Sequence, residues 1–172
     1  MPAGRRAGME SEEISMEATK QPYALARDED GEALWFLGVP TRVIATAAQT
    51  GGAFGLIEHV IPAGGESPWH VHHAEDEAFY VVEGQMSFLC GEQKVRAGAG
   101  TFVYGPREIP HGFRVEGTEP ARVLLQCTPG GFEHFIMEMS EPAPPSGPPD
   151  MERLMSVAAK YDNEILGPLP DS

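Results

Sequence analysis

Apolar and polar residues alternate with a period of two through much of the chain, the pattern of strands with two distinct faces. Phe54, Leu56, Glu58 and Val60 share one side of an extended backbone, and Gly55, Ile57, His59 and Ile61 share the other. Apolar groups on both sides predict that this strand is covered twice. Leu34–Leu37 and Thr41–Thr46 read as short strands before it, broken by Gly38-Val39-Pro40 and followed by the Thr50-Gly51-Gly52 turn. Beyond Pro62-Ala63-Gly64-Gly65 the alternation resumes, with Glu77, Phe79 and Val81 on one face, then Met86, Phe88 and Cys90. Gln93–Arg96, Thr101–Tyr104, Phe113–Glu116 and Ala121–Thr128 continue the series, with Phe132–Met139 read as the last strand and no helix before Ser140. Short strands punctuated by Gly and Pro predict an all-β fold, an antiparallel jelly-roll barrel of two sheets.

The flanks read differently. Residues 1–22 are rich in Gly, Glu, Ser and Lys and poor in large apolar groups, which predicts a loosely attached arm ahead of a barrel at 23–140. Residues 141–149 form a Pro-rich linker, and 150–172 a C-terminal helix and tail. Asp150 is placed to cap that helix, and Met151, Leu154, Met155, Ala158, Tyr161 and Ile165 recur at helical spacing until Gly167-Pro168. The stripe is expected to bury against the barrel's outer wall, with residues after Leu166 frayed.

At 172 residues the chain has the length of one domain. Its 12 Lys and Arg against 26 Asp and Glu give a formal charge of -14, which repels phosphate backbones and anionic lipid and argues against nucleic acid and membrane as partners. Arg5-Arg6 is followed by polar, acidic residues where a secretory signal needs an apolar core, so a cytoplasmic location is expected. Cys90 and Cys127 lie within apolar runs and suit buried free thiols. Unpaired sheet edges predict a homodimer.

The chemistry concentrates at His70-Val71-His72. In an extended chain both imidazoles face one way, and Glu77, opening the next strand, turns back toward them. His111, after Ile109-Pro110, supplies a third imidazole. A lone histidine is usually structural, but three with a carboxylate form an N/O donor set for one divalent transition metal ion: Fe, Mn, Ni, Co, Cu or Zn. Glu75 and Asp76 read as a solvated turn, His73 points away, and His59 and His134 read as structural. Phe79, Met86, Phe88, Phe102, Tyr104 and Phe113 are the candidate walls of an apolar substrate pocket, suited to an aromatic molecule with a metal-binding oxygen. Arg107 and Arg114 are the only basic residues near His111, too few for a phosphorylated sugar.

These residues resemble the two motifs of the cupin superfamily. Gly64, His70, His72, Glu77 and Gly84 occupy every named place of the first. Gly100, Pro106 and His111 fall in register with the second, while Glu108 stands at a usual Gly and Val115 at a usual Asn. The resemblance implies a double-stranded β-helix and metal ligation by His70, His72, Glu77 and His111. Likeness to single-domain quercetin 2,3-dioxygenase-like cupins implies a dioxygenase acting on a flavonol-like, phenolic or enolic small molecule, with Glu77 as ligand and catalytic proton acceptor. Since one such fold hosts many reactions, a non-redox isomerase or cyclase and a non-catalytic binding protein stand as alternatives.

Overall fold

The computed structural model describes residues 34–171. The arm expected over residues 1–22, and the start of the expected barrel, lie outside them.

The order of elements is β1 (Leu34–Phe36), β2 (Val39–Ala45), a one-turn α1 (Ala47–Thr50), β3 (Gly55–Ile61), β4 (Trp69–His72), β5 (Asp76–Glu83) and β6 (Gln85–Cys90). Then come β7 (Gln93–Gly98), β8 (Phe102–Gly105), β9 (His111–Val115), β10 (Ala121–Thr128), α2 (Phe132–Met139), β11 (Ser140–Glu141), α3 (Met151–Lys160) and β12 (Asn163–Gly167). Two antiparallel sheets result, β11-β1-β2-β3-β10-β5-β8 and β12-β4-β9-β6-β7. This is the double-stranded β-helix of the expected fold class. The two sheets remain separate hydrogen-bonded units and do not close into one continuous barrel.

The alternation read from the sequence decides which way each strand faces. On β5, Glu77, Phe79 and Val81 are buried while Tyr80 is exposed; on β10, Ala121, Val123, Leu125 and Cys127 are buried. The register sets Phe79 against Leu125 and Val81 against Val123, so one layer of apolar side chains lines the larger sheet. Met86, Phe88 and Val115 answer from the smaller sheet. Each fully buried side chain of this size contributes about 1.5–3 kcal/mol relative to exposure. Gly84 turns β5 into β6 at φ +88°, where a Cβ would stand 2.7 Å from Ala121 Cα and the Pro120 carbonyl oxygen. Only glycine fits there.

Two segments differ from expectation. Phe132–Met139 is a helix, not a strand: Phe132, Phe135, Ile136 and Met139 fall at i, i+3, i+4 and i+7 and are all buried. Within this helix Glu133 is completely buried, and its carboxylate accepts hydrogen bonds from Ala47 N at 2.6 Å and Gly131 N at 2.8 Å. Those contacts tie the starts of α1 and α2 together and satisfy donors that a helix start leaves orphaned. The C-terminal helix is capped by Asp150, whose side chain accepts from Arg153 N at 3.1 Å, but it ends at Lys160. Asp162, at φ +54°, then redirects the chain into β12, which pairs antiparallel with β4. Residues 163–166, expected to continue the helix, instead form most of the edge strand beside His70 and His72.

Candidate metal centre

His70 and His72 lie on β4, His111 opens β9 directly opposite His70, and Glu77 lies on β5 of the facing sheet. One donor atom from each of the four lies within 4.8 Å of every other. The ring centroids are 5.0 Å apart for His70 and His72, 4.7 Å for His70 and His111, and 5.4 Å for His72 and His111. Gly105 stands opposite Glu77 and against the His111 ring, where a Cβ would lie in ordinary contact at 3.6 Å.

The outer partners of the three rings fix which nitrogen faces the centre. His70 Nδ1 lies 2.8 Å from the Pro68 carbonyl oxygen and His111 Nδ1 2.8 Å from that of Ile109. A carbonyl only accepts, so both Nδ1 atoms carry the proton; His111 Nε2 shares a second proton with Glu77, which a cation would displace, while His70 Nε2 presents a lone pair. His72 Nδ1 donates to Glu75 Oε1 at 2.9 Å, with the same result. Three imidazole Nε2 atoms and a carboxylate then converge in a buried space. His72 Nε2 is buried without a hydrogen-bond partner among the described residues. A divalent cation satisfies all four groups at once, and the donor set fits a transition metal.

The electrostatics agree. Burial alone would raise the Glu77 carboxyl, but the charge of His72, the hydrogen bond and charge of His111 and the charge of His70 outweigh it and hold Glu77 well below the usual carboxylate range. Burial pulls His111 down, yet its Nε2 contact with Glu77 Oε2 at 2.9 Å prevails and the ring is raised. His70 is lowered to about 4, chiefly by burial, so it is neutral near pH 7 and available as a ligand.

An apolar cavity of about 100 Å³, the scale of a single six-membered ring, opens onto His70, His72 and Glu77. Phe79 and Phe113 line it. Met86 and Phe88 lie deeper, as core beneath those rings rather than as walls. The expected role of Phe102 and Tyr104 is corrected: they are 63% and 53% exposed on the outer surface. On β8 it is Val103 and Gly105 that stand opposite the inward-facing Phe79 and Glu77, so the intervening residues point out. Walls that the strand pattern concealed come from α2, α3 and β12, as Phe132, Ile136, Leu154, Asn163 and Ile165.

Glu75 is the functional side chain that the sequence reading left in solvent. It is 5% exposed and orients His72, while Asp76 binds the Arg107 guanidinium and Glu77 faces the centre. His59 also lines the cavity, and His73 sits outside, between Glu108 and Glu164. Glu108 occupies the motif's usual Gly position at φ +65°, a backbone state few non-glycine residues adopt.

A family model described as the cupin domain matches residues 57–127, the stretch from β3 to β10 that carries all four candidate ligands. The chain belongs to the cupin superfamily. The cupin is 30% identical over 123 residues to the quercetin 2,3-dioxygenase of Bacillus subtilis, covering 70% of this chain and 35% of that protein. It therefore spans about a third of the length of that relative. It is 27% identical over 86 residues to an uncharacterized protein of Methanocaldococcus jannaschii, covering 50% of this chain and 68% of the relative. Among solved structures, the polyketide cyclase RemF of Streptomyces resistomycificus superposes with a TM-score of 0.52 at 24% identity, over 63% of this cupin and 80% of RemF. That likeness concerns the fold.

Proposed function

We propose that this cupin is a metal-dependent dioxygenase acting on a phenolic or enolic small molecule that binds the metal through a deprotonated oxygen. One observation carries the reading: four metal-donor atoms, each fixed by the fold, converge where a ring-sized apolar cavity meets the β-sandwich. His70, His72, Glu77 and His111 would hold the ion. When bound, a redox-active ion supplies Lewis acidity toward the substrate oxygen and the electron transfer that dioxygen chemistry requires.

The residues supply the rest. The three histidines act as holders, since each is tied through Nδ1 to an outer acceptor. Glu77, ionised and dry, is the proton acceptor for the substrate hydroxyl. Phe79, Phe113 and Phe132 clamp a planar ring and exclude water. No Lys or Arg among the described residues lines the cavity, which disfavours phosphorylated or carboxylated substrates. The similarity to a quercetin dioxygenase over 70% of this chain supports the same class. A three-ring flavonol exceeds a cavity of this size, and single-ring catechols, enols and diketones fit it better.

Oxygen-electrode traces of protein loaded separately with Fe, Mn, Co and Ni, offered flavonols, catechols and diketones, test the proposal. Substrate-dependent oxygen uptake that disappears on chelation is the expected result. A flat trace with every pair refutes it, and turnover under nitrogen with zinc would instead identify a non-redox isomerase or cyclase. Among the described residues the edges at β8 and β7 leave backbone groups available for a second copy, and light scattering at twice the monomer mass would establish a homodimer.

A further inference from the structure

Two polar atoms border the cavity without belonging to the four-residue cluster. Thr41 and His59 face each other across β2 and β3, and both are buried. Thr41 Oγ1 donates to the Val39 carbonyl oxygen at 2.9 Å and lies 2.8 Å from His59 Nδ1. A hydroxyl has one proton, and this one is committed to Val39, so His59 Nδ1 must be the donor in the second contact. That assigns the tautomer: His59 Nε2 carries a lone pair, and no described residue donates to it. Burial lowers the ring to about 4, against a smaller opposing pull from Glu77, so it stays neutral near pH 7.

The second atom comes from the C-terminal strand. Asn163, opposite His72 in the β12–β4 register, lines the same cavity and is 6% exposed. Its Nδ2 donates to the Tyr161 carbonyl oxygen at 3.0 Å, and the reversed amide would set two oxygens against each other. The amide is therefore fixed, and its Oδ1 is buried with no hydrogen-bond partner among the described residues. A buried acceptor without a donor is costly, and an incoming ligand that supplies one removes the cost. Ser67 is the remaining hydroxyl on the wall, and its Oγ already accepts the Phe113 N–H at 3.1 Å.

We propose that His59 Nε2 and Asn163 Oδ1 form a specificity pair that recognises hydrogen-bond donors on the ligand, so that the cavity takes a ring bearing hydroxyls beyond those that bind the metal. This deepens the reading of the cavity as a substrate site and rests on it. The ligand class is a single-ring polyphenol or its enol equivalent. Capping the additional hydroxyl with a methyl group, or replacing it with a carboxylate, leaves the pair facing another acceptor.

Calorimetric titration of the metal-loaded protein under nitrogen tests this with three probes that share one chelating catechol. These are 1,2,4-trihydroxybenzene, 4-methoxycatechol and 3,4-dihydroxybenzoate, which differ only in the distal group. The triol is expected to bind about tenfold or more tightly than the methyl ether, the step that one satisfied against one orphaned acceptor supplies, with the benzoate weakest. In H59L and N163L, each checked for unchanged metal content, the preference for triol over ether should shrink toward unity. H59Q and N163D retain an acceptor and should restore part of it. Equal affinity for triol and ether in the wild type, a preference unchanged in both leucine variants, or no binding of any probe would overturn the proposal. Because binding is read without oxygen, a preserved preference with no oxygen uptake would refute the dioxygenase reading and leave the specificity pair standing.

Discussion

His59 offers a quantitative check on the cavity wall because its titration is one-sided. The ring's ordinary value of 6.5 is lowered to about 4, mainly by burial. As pH falls, the unfolded chain takes up the proton first, at 6.5, while the folded protein refuses it until about 4. The unfolded state therefore binds more protons throughout that window, and stability falls as the pH is lowered across it. Below about 4 both states are protonated and the loss levels off. Each pH unit in the window costs about 1.4 kcal/mol, so the full descent removes about 3 kcal/mol through this residue. The perturbation is H59Q, which keeps a polar side chain beside Thr41 but does not titrate.

Urea denaturation of wild type and H59Q between pH 7.5 and 4 gives the measurement, both proteins dialysed against the same chelator so that metal loss contributes to neither. His70 is also lowered to about 4, but it is present in both proteins and cancels in the difference. The wild type should lose about 3 kcal/mol more than the variant over this range, with the divergence beginning near pH 6.5. Curves that remain parallel within about 0.5 kcal/mol, the scale of the extrapolation error, would refute the placement of a neutral, desolvated His59 on the cavity wall.

Four further outcomes are expected. H72A and H111A should each abolish stoichiometric metal by elemental analysis while circular dichroism retains the sheet signature; unchanged metal in both refutes the ligand set. E75Q, which weakens the acceptor for His72 Nδ1, should lower metal affinity about 10–100-fold in competition with a chelator, and equal affinity would show that His72 needs no such support. E133A strands the Ala47 and Gly131 N–H groups and should cost about 2–5 kcal/mol in denaturation, whereas G55A, whose new Cβ would meet Glu133 Oε2, should cost about 1–3 kcal/mol. F102S and Y104S should change stability by less than about 0.5 kcal/mol and leave ligand binding intact, because both side chains face solvent.

The legible parts of this fold are those where a single period decides orientation. Gly55, Ile57, His59 and Ile61 form the buried side of β3 as the alternation requires, and the histidine pair on β4 follows the same rule. The misread parts are those where two periods coincide. Phe132, Phe135, Ile136 and Met139 satisfy helical spacing, but a short run rich in aromatic and branched residues also resembles a strand, and only the tertiary setting chooses. Ile165 lies four residues after Tyr161 and two after Asn163, so it extends a helical stripe and an extended one equally well. Asp162 in the left-handed region resolves the choice, a backbone event that composition does not announce. Glu75, Asp76 and Glu77 are chemically alike and adjacent, yet one orients His72, one binds Arg107 and one faces the centre. Strand parity separates the last two, while the first depends on the turn that precedes β5.

That turn explains why the centre is prepared for a cation before one arrives. The three rings are anchored from outside by groups on three separate segments: the Pro68 carbonyl ahead of β4, the Glu75 carboxylate ahead of β5 and the Ile109 carbonyl ahead of β9. Each anchor accepts a hydrogen bond from Nδ1 and so keeps the proton there, which leaves Nε2 of His70 and His72 unprotonated, and Phe132 packs edge-on against the His72 ring at 4.8 Å, where water would otherwise compete. The His111–Glu77 contact can hold a shared proton, which leaves His72 Nε2, 3.3 Å from Glu77 Oε1, still without a hydrogen bond. An uncompensated arrangement of this kind costs about 1–3 kcal/mol per orphaned group, and the surrounding β-sandwich maintains it through packing that does not involve the site. Repulsion among four like donors is tolerable only if their convergence serves a ligand that none of the anchors can replace, and a multivalent cation is the one species whose charge and coordination number meet all four.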